Sequence, residues 1–314
     1  MFSHASWLNQ VELWLSTFGR KPPRRGVKSH DGHAIQVDLS FGPTLTAAGP
    51  DREGDHTTVE MTAAESFNVL FAAVPNSPTL RDIWRAVYGP DYPEEADPFS
   101  FVTLTDLRRI AAELGVGSGQ AVVDLACGCG GPGLWIAQET GASLVGVDFS
   151  HVGIERARQR ANQLGLSGRV QFQVRDAATT GLPAASLDGA MSVDAFWLFP
   201  DKPRAAAEVA RILGTGGRFV FTTWDFEITP PGWPPQLAQH GDLLRDAGFL
   251  VQVYEETPDW RRRQLAVYEG VLTAQPRLVA ELGEAAATDL IGEAREVPAL
   301  LGQSRRVLIV ARRT

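Results

Sequence analysis

The sequence predicts an α/β protein: a seven-stranded, mainly parallel sheet with an antiparallel final strand pair, a helical lid insertion and a small N-terminal α+β unit. Three observations predict it. From about residue 117 short apolar runs alternate with helical patterns, a glycine-rich loop follows the first of these runs, and a long helical stretch separates the last two. Alternation of this kind indicates parallel strands covered on both faces.

Taken in order, Trp7, Leu8, Val11, Trp14, Leu15 and Phe18 recur at helical spacing, so an amphipathic helix is expected to end before Pro22 and Pro23. Ile35, Val37, Leu39 and Phe41 alternate with polar residues as a strand does. GPDREGD (49–55) reads as a turn, and TTVEMTAAESFNVLF as a strand running into a helix. These make up an α+β unit over 1–75, for which three roles are open: capping a pocket, pairing two subunits as a homodimer, or a vestigial binding fold. Cap helices and a loop follow over 76–116. The main domain, 117–314, begins with QAVVDLA, SLVGVDFS, VQFQVRDA, LDGAMSVDAF and GGRFVFTTW, with helices expected between the first four. FLVQVYEE (249–256) and RRVLIVARR (305–313) supply the last two strands. The insertion between them, about 258–303, is expected to pack over the sheet edge or the pocket mouth.

Composition narrows the function classes. Of 314 residues, 44% are hydrophobic and 21% charged, which is ordinary for a globular protein, and no apolar run approaches a membrane span. The net charge of -8 disfavours nucleic acid, whose binding rests on neutralised phosphates. RKPPRR (20–25) reads as a solvated linker, and His30, His33 and His56 as surface residues. MFSHASWLNQ lacks the basic flank and apolar core of a secretory signal, and two cysteines build no disulfide framework, so a cytoplasmic location is expected.

The stretch DLACGCGGPG (124–133) holds both cysteines. A structural zinc site takes four thiolate or imidazole ligands, and one CxC supplies too few, so no metal is expected. Redox pairs space their cysteines by two. Cys127 and Cys129 therefore read as small fillers of a crowded turn. The bare backbone of Gly128, Gly130, Gly131 and Gly133, with Pro132 in the first turn of the next helix, suits close approach of an anionic or nucleotide ligand. Gly128-x-Gly130-x-x-Gly133 also satisfies the dinucleotide fingerprint, which leaves a NAD-dependent oxidoreductase open. Asp124, Asp148 and Asp176 close three successive strands. Each alone reads equally as a cap or turn former; together they mark a ligand site at the carboxyl ends of the sheet.

DLACGCGGPG, GVDFS, RDA, MSVDAFWLFPD and EVARILGTGGRFVFTTW together resemble the class I S-adenosylmethionine-dependent methyltransferases, in their small-molecule branch. YGPDYPEEADPFSFVTLTDLRRIAAEL is similar to the cap helix and loop that precede that core in bacterial members. Ala126 departs from the pattern at the usual first glycine. The resemblance implies a Rossmann-like domain in which Asp124, Ala126, Gly128 and Gly130 surround the methionine part of S-adenosylmethionine. Asp148 would hold the ribose with Phe149 beside the adenine, Asp176 and Ala177 would read the adenine edge, and Val193 would meet the amino-acid end.

Methyl transfer from a sulfonium is an in-line displacement, so alignment in a dry pocket supplies most of the effect. A hydroxyl or carbon acceptor also needs a proton acceptor. His151, His240 and Asp194 are the candidates, each with a plain structural alternative as an exposed or capping residue. Tyr92, Phe99, Phe101, Phe196, Trp197 and Trp224 are the candidate pocket walls, with Trp233 and Trp260 in the lid; core packing is the alternative for each. These aromatics favour a small apolar or planar metabolite, a natural-product intermediate or a lipid-like molecule. A cofactor-binding protein without methyl transfer, serving as a cyclase or scaffold, remains open as an alternative function.

Overall fold

The computed structural model describes residues 62–314 and the backbone of two short strands, β1 (Thr44–Leu45) and β2 (Val59–Glu60), which pair antiparallel. The expected helix over 7–18, strand over 35–41, the turn at 49–55, and the placements of His30, His33 and His56 lie outside the described residues. The strand running into a helix is present: β2 is followed by α1 (Ala63–Ala73), opened by Thr62 and Glu65 in a reciprocal capping box.

Two helices lead to the sheet, α2 (Pro78–Tyr88), capped by Ser77, and α3 (Leu104–Leu114), which ends where Gly115 turns left-handed. The sheet then alternates as the sequence indicates, through β3 (Ala121–Leu125), α4 (Gly131–Thr140), β4 (Ser143–Asp148), α5 (His151–Gln163) and β5 (Val170–Val174). β6 (Leu187–Val193), α6 (Lys202–Ile212) and β7 (Leu213–Phe226) continue it. A short helix α7 (Gly241–Asp246) precedes β8 (Phe249–Glu256). The lid helices α8 (Trp260–Thr273), α9 (Gln275–Leu282) and α10 (Glu284–Glu296) follow, and β9 (Ser304–Arg313) closes the chain.

The strand order is β5-β4-β3-β6-β7-β9-β8, parallel except that β9 runs antiparallel to both neighbours. One expected element is missing. No helix joins the third and fourth strands: residues 175–186 are irregular, because Gly181 sits at positive φ and Pro183 has no N–H for a helical ladder.

Each face of the sheet carries its own apolar layer. Phe196, Phe199, Val209, Ile212, Phe219 and Phe221 fill one, and Leu107, Ile110, Ile136, Met191 and Val310 the other. A third cluster stands beyond the carboxyl ends of the strands, where α2 and the lid helices meet aromatic side chains from the sheet loops. That cluster borders the cavity described next.

Candidate functional site

The first βα turn is a tight cradle. After Asp124 at the end of β3, Ala126 takes φ 56° and Gly128 φ 51°, which presents the loop backbone to the crevice. Asp148 at the end of β4 holds the loop in place, accepting from Gly128 N at 2.8 Å through Oδ2 and from Ser150 N at 2.8 Å through Oδ1. Burial pushes its carboxyl up to about 6 against the pull of these donors. Gly133 lets α4 start against the strand: a Cβ there would stand 2.6 Å from Asp124 Oδ2.

Asp124 is the unusual group of this loop. It is 2% exposed, and its Oδ2 has no hydrogen-bond partner. Burial, with the Asp148 charge nearby, pushes it up to about 8; the Gly133 N–H offsets this in part from outside hydrogen-bond geometry. An orphaned buried carboxyl costs free energy that a cationic ligand would recover.

A cavity of about 490 Å³ opens directly from the cradle, well within the range of small-molecule sites. Asp124, Ala126, Gly128, Asp148, Phe149 and Val193 line it at one end. Tyr92, Phe99, Phe101, Trp197, Trp224 and Trp233 also line it, beside the charged side chains of Arg81, Asp97, Arg156 and Arg160. Their rings touch: Phe101 stands edge-on to Trp224 with centroids 6.0 Å apart, and Trp197 lies 6.0 Å from Trp224 and 5.0 Å from Trp233.

Several expected site residues lie elsewhere. Phe196 is wholly buried in the sheet layer, 5.0 Å from the Phe221 ring, because the turn after β6 points it inward while Trp197 faces the cavity. Trp260 packs at the start of α8, its Nε1 donating to Glu256 at 2.7 Å, outside the cavity lining. His240 is wholly buried beneath the site, its Nδ1 3.0 Å from Asp225 Oδ1, and burial holds its imidazole below the usual histidine range. His151 is exposed and meets Asn68 at 3.0 Å. Asp194 does border the cavity, yet Arg306 grips both its oxygens, at 2.9 and 3.2 Å, and Phe101 N donates to Oδ2 at 3.0 Å. His151 and His240 thus lie outside the cavity lining, while Asp194 is in it with its oxygens held by Arg306 and Phe101 N. Gly130, Asp176 and Ala177 also fall outside the lining. Asp176 is exposed and accepts from Ala178 N at 2.8 Å, and Ala177 joins the sheet layer.

Two groups were missed in the sequence. Phe67 and Phe71 of α1 line the cavity, and a Cβ on Gly128 would meet the Phe71 ring at 3.0 Å, so this helix roofs the cradle. Asn68 pins it there, its Oδ1 accepting from Ser150 Oγ at 2.6 Å. The i,i+4 spacing of the two phenylalanines was the available signal. The second group, Gln264, Tyr268 and Glu293, comes from the lid. Glu293 lies on the apolar stripe that also carries Leu290 and Val297, where a carboxylate breaks the pattern. Among the described residues no three His, Cys, Asp or Glu side chains gather as a metal site.

Residues 122–217 match the family described as a methyltransferase domain. The chain carries a class I S-adenosylmethionine-dependent methyltransferase domain. The chain is 34% identical over 131 residues to the methyltransferase GfsG of Streptomyces halstedii, across 42% of this chain and 47% of that protein. It is 33% identical over 144 residues to a probable chloroplastic tocopherol O-methyltransferase of Oryza sativa, across 45% of this chain and 38% of that one. The chain thus spans about half or less of these curated relatives. Among solved structures, the [4+2]-cyclase SpnF superposes with TM-score 0.59 at 24% identity, covering 66% of this chain and 80% of that one, which establishes the shared fold. The residues present in the methyltransferase domain fit S-adenosylmethionine: a bare loop for close approach, a buried carboxyl without a partner for a cation, and Asp148 held at the neighbouring strand end with lone pairs left for hydroxyls.

Proposed function

We propose that the protein transfers a methyl group from S-adenosylmethionine to a small, apolar or aromatic acceptor. The observation that carries this reading is the unpartnered Asp124 carboxyl in a glycine cradle that opens straight into an aromatic cavity. When bound, the cofactor supplies an electrophilic methyl on a positively charged sulfur. Asp124 and Asp148 fix the cofactor's polar groups, and Phe71 keeps water from the backbone of Gly128. The aromatic walls orient a planar acceptor by edge and face contacts, where positioning supplies most of the rate. Trp224 Nε1, buried without a partner, is placed to donate to an acceptor oxygen. The likeness to a tocopherol O-methyltransferase supports an apolar ring-bearing acceptor.

Two measurements test the reading. Titration calorimetry is expected to show binding of S-adenosylmethionine and none of NADH; the reverse would overturn it. Incubation with labelled cofactor and a metabolite extract is expected to release S-adenosylhomocysteine. Because the same fold serves a [4+2]-cyclase, tight cofactor binding without any release would indicate a non-methylating role.

A further inference from the structure

One hydrogen-bonded polar chain in the cavity lining comes entirely from the lid. Gln264 Nε2 donates to Tyr268 OH at 2.9 Å, and Tyr268 OH donates to Glu293 Oε1 at 2.7 Å. Gln264 and Tyr268 are 4% and 2% exposed, and Gln264 Oε1 is buried without a partner. Oε2 of Glu293 makes no hydrogen bond, and Glu293 is half-buried and belongs to the cavity lining.

Position ties this chain to the cofactor end. The Phe101 ring stands edge-on to Tyr268 at 5.7 Å and to Trp224 at 6.0 Å, while its N–H is bonded to Asp194, the residue after β6. Tyr268 is therefore one ring away from the strand end that meets the cradle. The groups facing Glu293 are Tyr268 from α8 and Asp289 from its own helix, and α1 borders it with Ser66 and Phe67, neither of which titrates. Burial pushes the Glu293 carboxyl up to about 7, the Tyr268 bond opposes this, and Asp289 adds to it. That value suits a group that must be ionised before reaction and protonated after it.

We propose that Glu293 is the proton acceptor of the reaction and that the acceptor is an apolar molecule whose reacting group is a phenolic or enolic hydroxyl. This rests on the methyl-transfer reading above. The hydroxyl oxygen forms its bond to the methyl carbon as the carbon–sulfur bond breaks. The bonding pair stays on the sulfur of S-adenosylhomocysteine, and the hydroxyl proton passes to Glu293 Oε2, from which solvent later removes it. Tyr268 is a positioning residue that orients the carboxylate, backed by Gln264.

The test uses the full chain saturated with S-adenosylhomocysteine, with 2-naphthol and 2-methoxynaphthalene as probes. The expected result is a preference for 2-naphthol of about tenfold at pH 8.5 that falls below threefold at pH 5.5, with the change centred near 7. In Glu293→Gln the preference is expected to lose its pH dependence while S-adenosylhomocysteine binds as before. Tyr268→Phe removes a bond that lowers the Glu293 carboxyl, so the midpoint is expected to move to higher pH. With S-adenosylmethionine, methyl transfer to 2-naphthol is expected to fall by about 100-fold or more in Glu293→Gln with KM within threefold. A flat preference in the unmodified protein, a pH-dependent preference that survives Glu293→Gln, absence of 2-naphthol binding, or stronger uptake of naphthalen-2-ylmethylamine would each overturn the proposal. Failure of S-adenosylhomocysteine to bind would instead overturn the methyl-transfer reading.

Discussion

Asp124 makes the cradle a proton store. Its carboxyl stands near 8, so at pH 7 it is mostly protonated, and a cationic ligand would drive the proton off. Calorimetry at pH 7 in buffers of different ionisation enthalpy is expected to show close to one proton released on S-adenosylmethionine binding, and none in Asp124→Asn. The same shift acts on folding. Between the ordinary carboxylate value of about 4 and about 8 the folded protein holds a proton that the unfolded chain has lost. Stability of the cofactor-free protein therefore falls as pH rises through that window, and Asp124→Asn removes that part of the slope. Ala126 is strained in the opposite sense: a non-glycine residue at φ 56° pays for its Cβ. Ala126→Gly is expected to stabilise by about 0.5–1 kcal/mol in urea unfolding, net of the extra entropy of glycine. Both residues were legible as part of the crevice because they are local to a motif, and both line the cavity. The place of His240 was not legible, since its burial against Asp225 depends on strands distant in sequence, and Phe196 and Trp197, adjacent in sequence, part only at the turn after β6.

At the scale of elements, the strand alternation and the lid were readable from periodicity, while the absent helix between β5 and β6 was obscured by the alanines of AATTGLPAAS. What periodicity does not carry is how the elements are tied. Arg306 of β9 is wholly buried and joins α3 through Asp106 at 2.9 Å, the loop after β6 through Asp194 at 2.9 Å, and the start of the lid through Thr257 at 3.1 Å. Its guanidinium also lies 5.8 Å from the Trp224 ring. Arg306→Met would leave two carboxylates buried and unpaired, a loss expected to be about 3–5 kcal/mol in denaturant unfolding. A loss under about 1 kcal/mol would show that these carboxylates take up protons or water at little cost. The cluster was invisible in the sequence because its members are spread from Asp106 to Arg306.

Over the whole molecule, the cofactor site draws on the roof helix α1, the loops of β3 and β4 and the end of β6, so a ligand there engages distant parts of the fold at once. S-adenosylmethionine at a hundredfold excess over its Kd is expected to add about 2.7 kcal/mol to the stability. Thermal scanning checks this, and an unchanged midpoint would place the ligand outside the folded site. No helix among the described residues is long and apolar enough to cross a membrane.

The lid has a further property that comes from where it joins the sheet. It departs from β8 and returns in β9, and these two strands are hydrogen-bonded neighbours, Glu256 standing opposite Val307. Its two ends are thus held together whatever fills the space between. Such an excursion can be exchanged as a cassette, bringing a different polar chain and a different acceptor while the cradle beneath keeps the same cofactor.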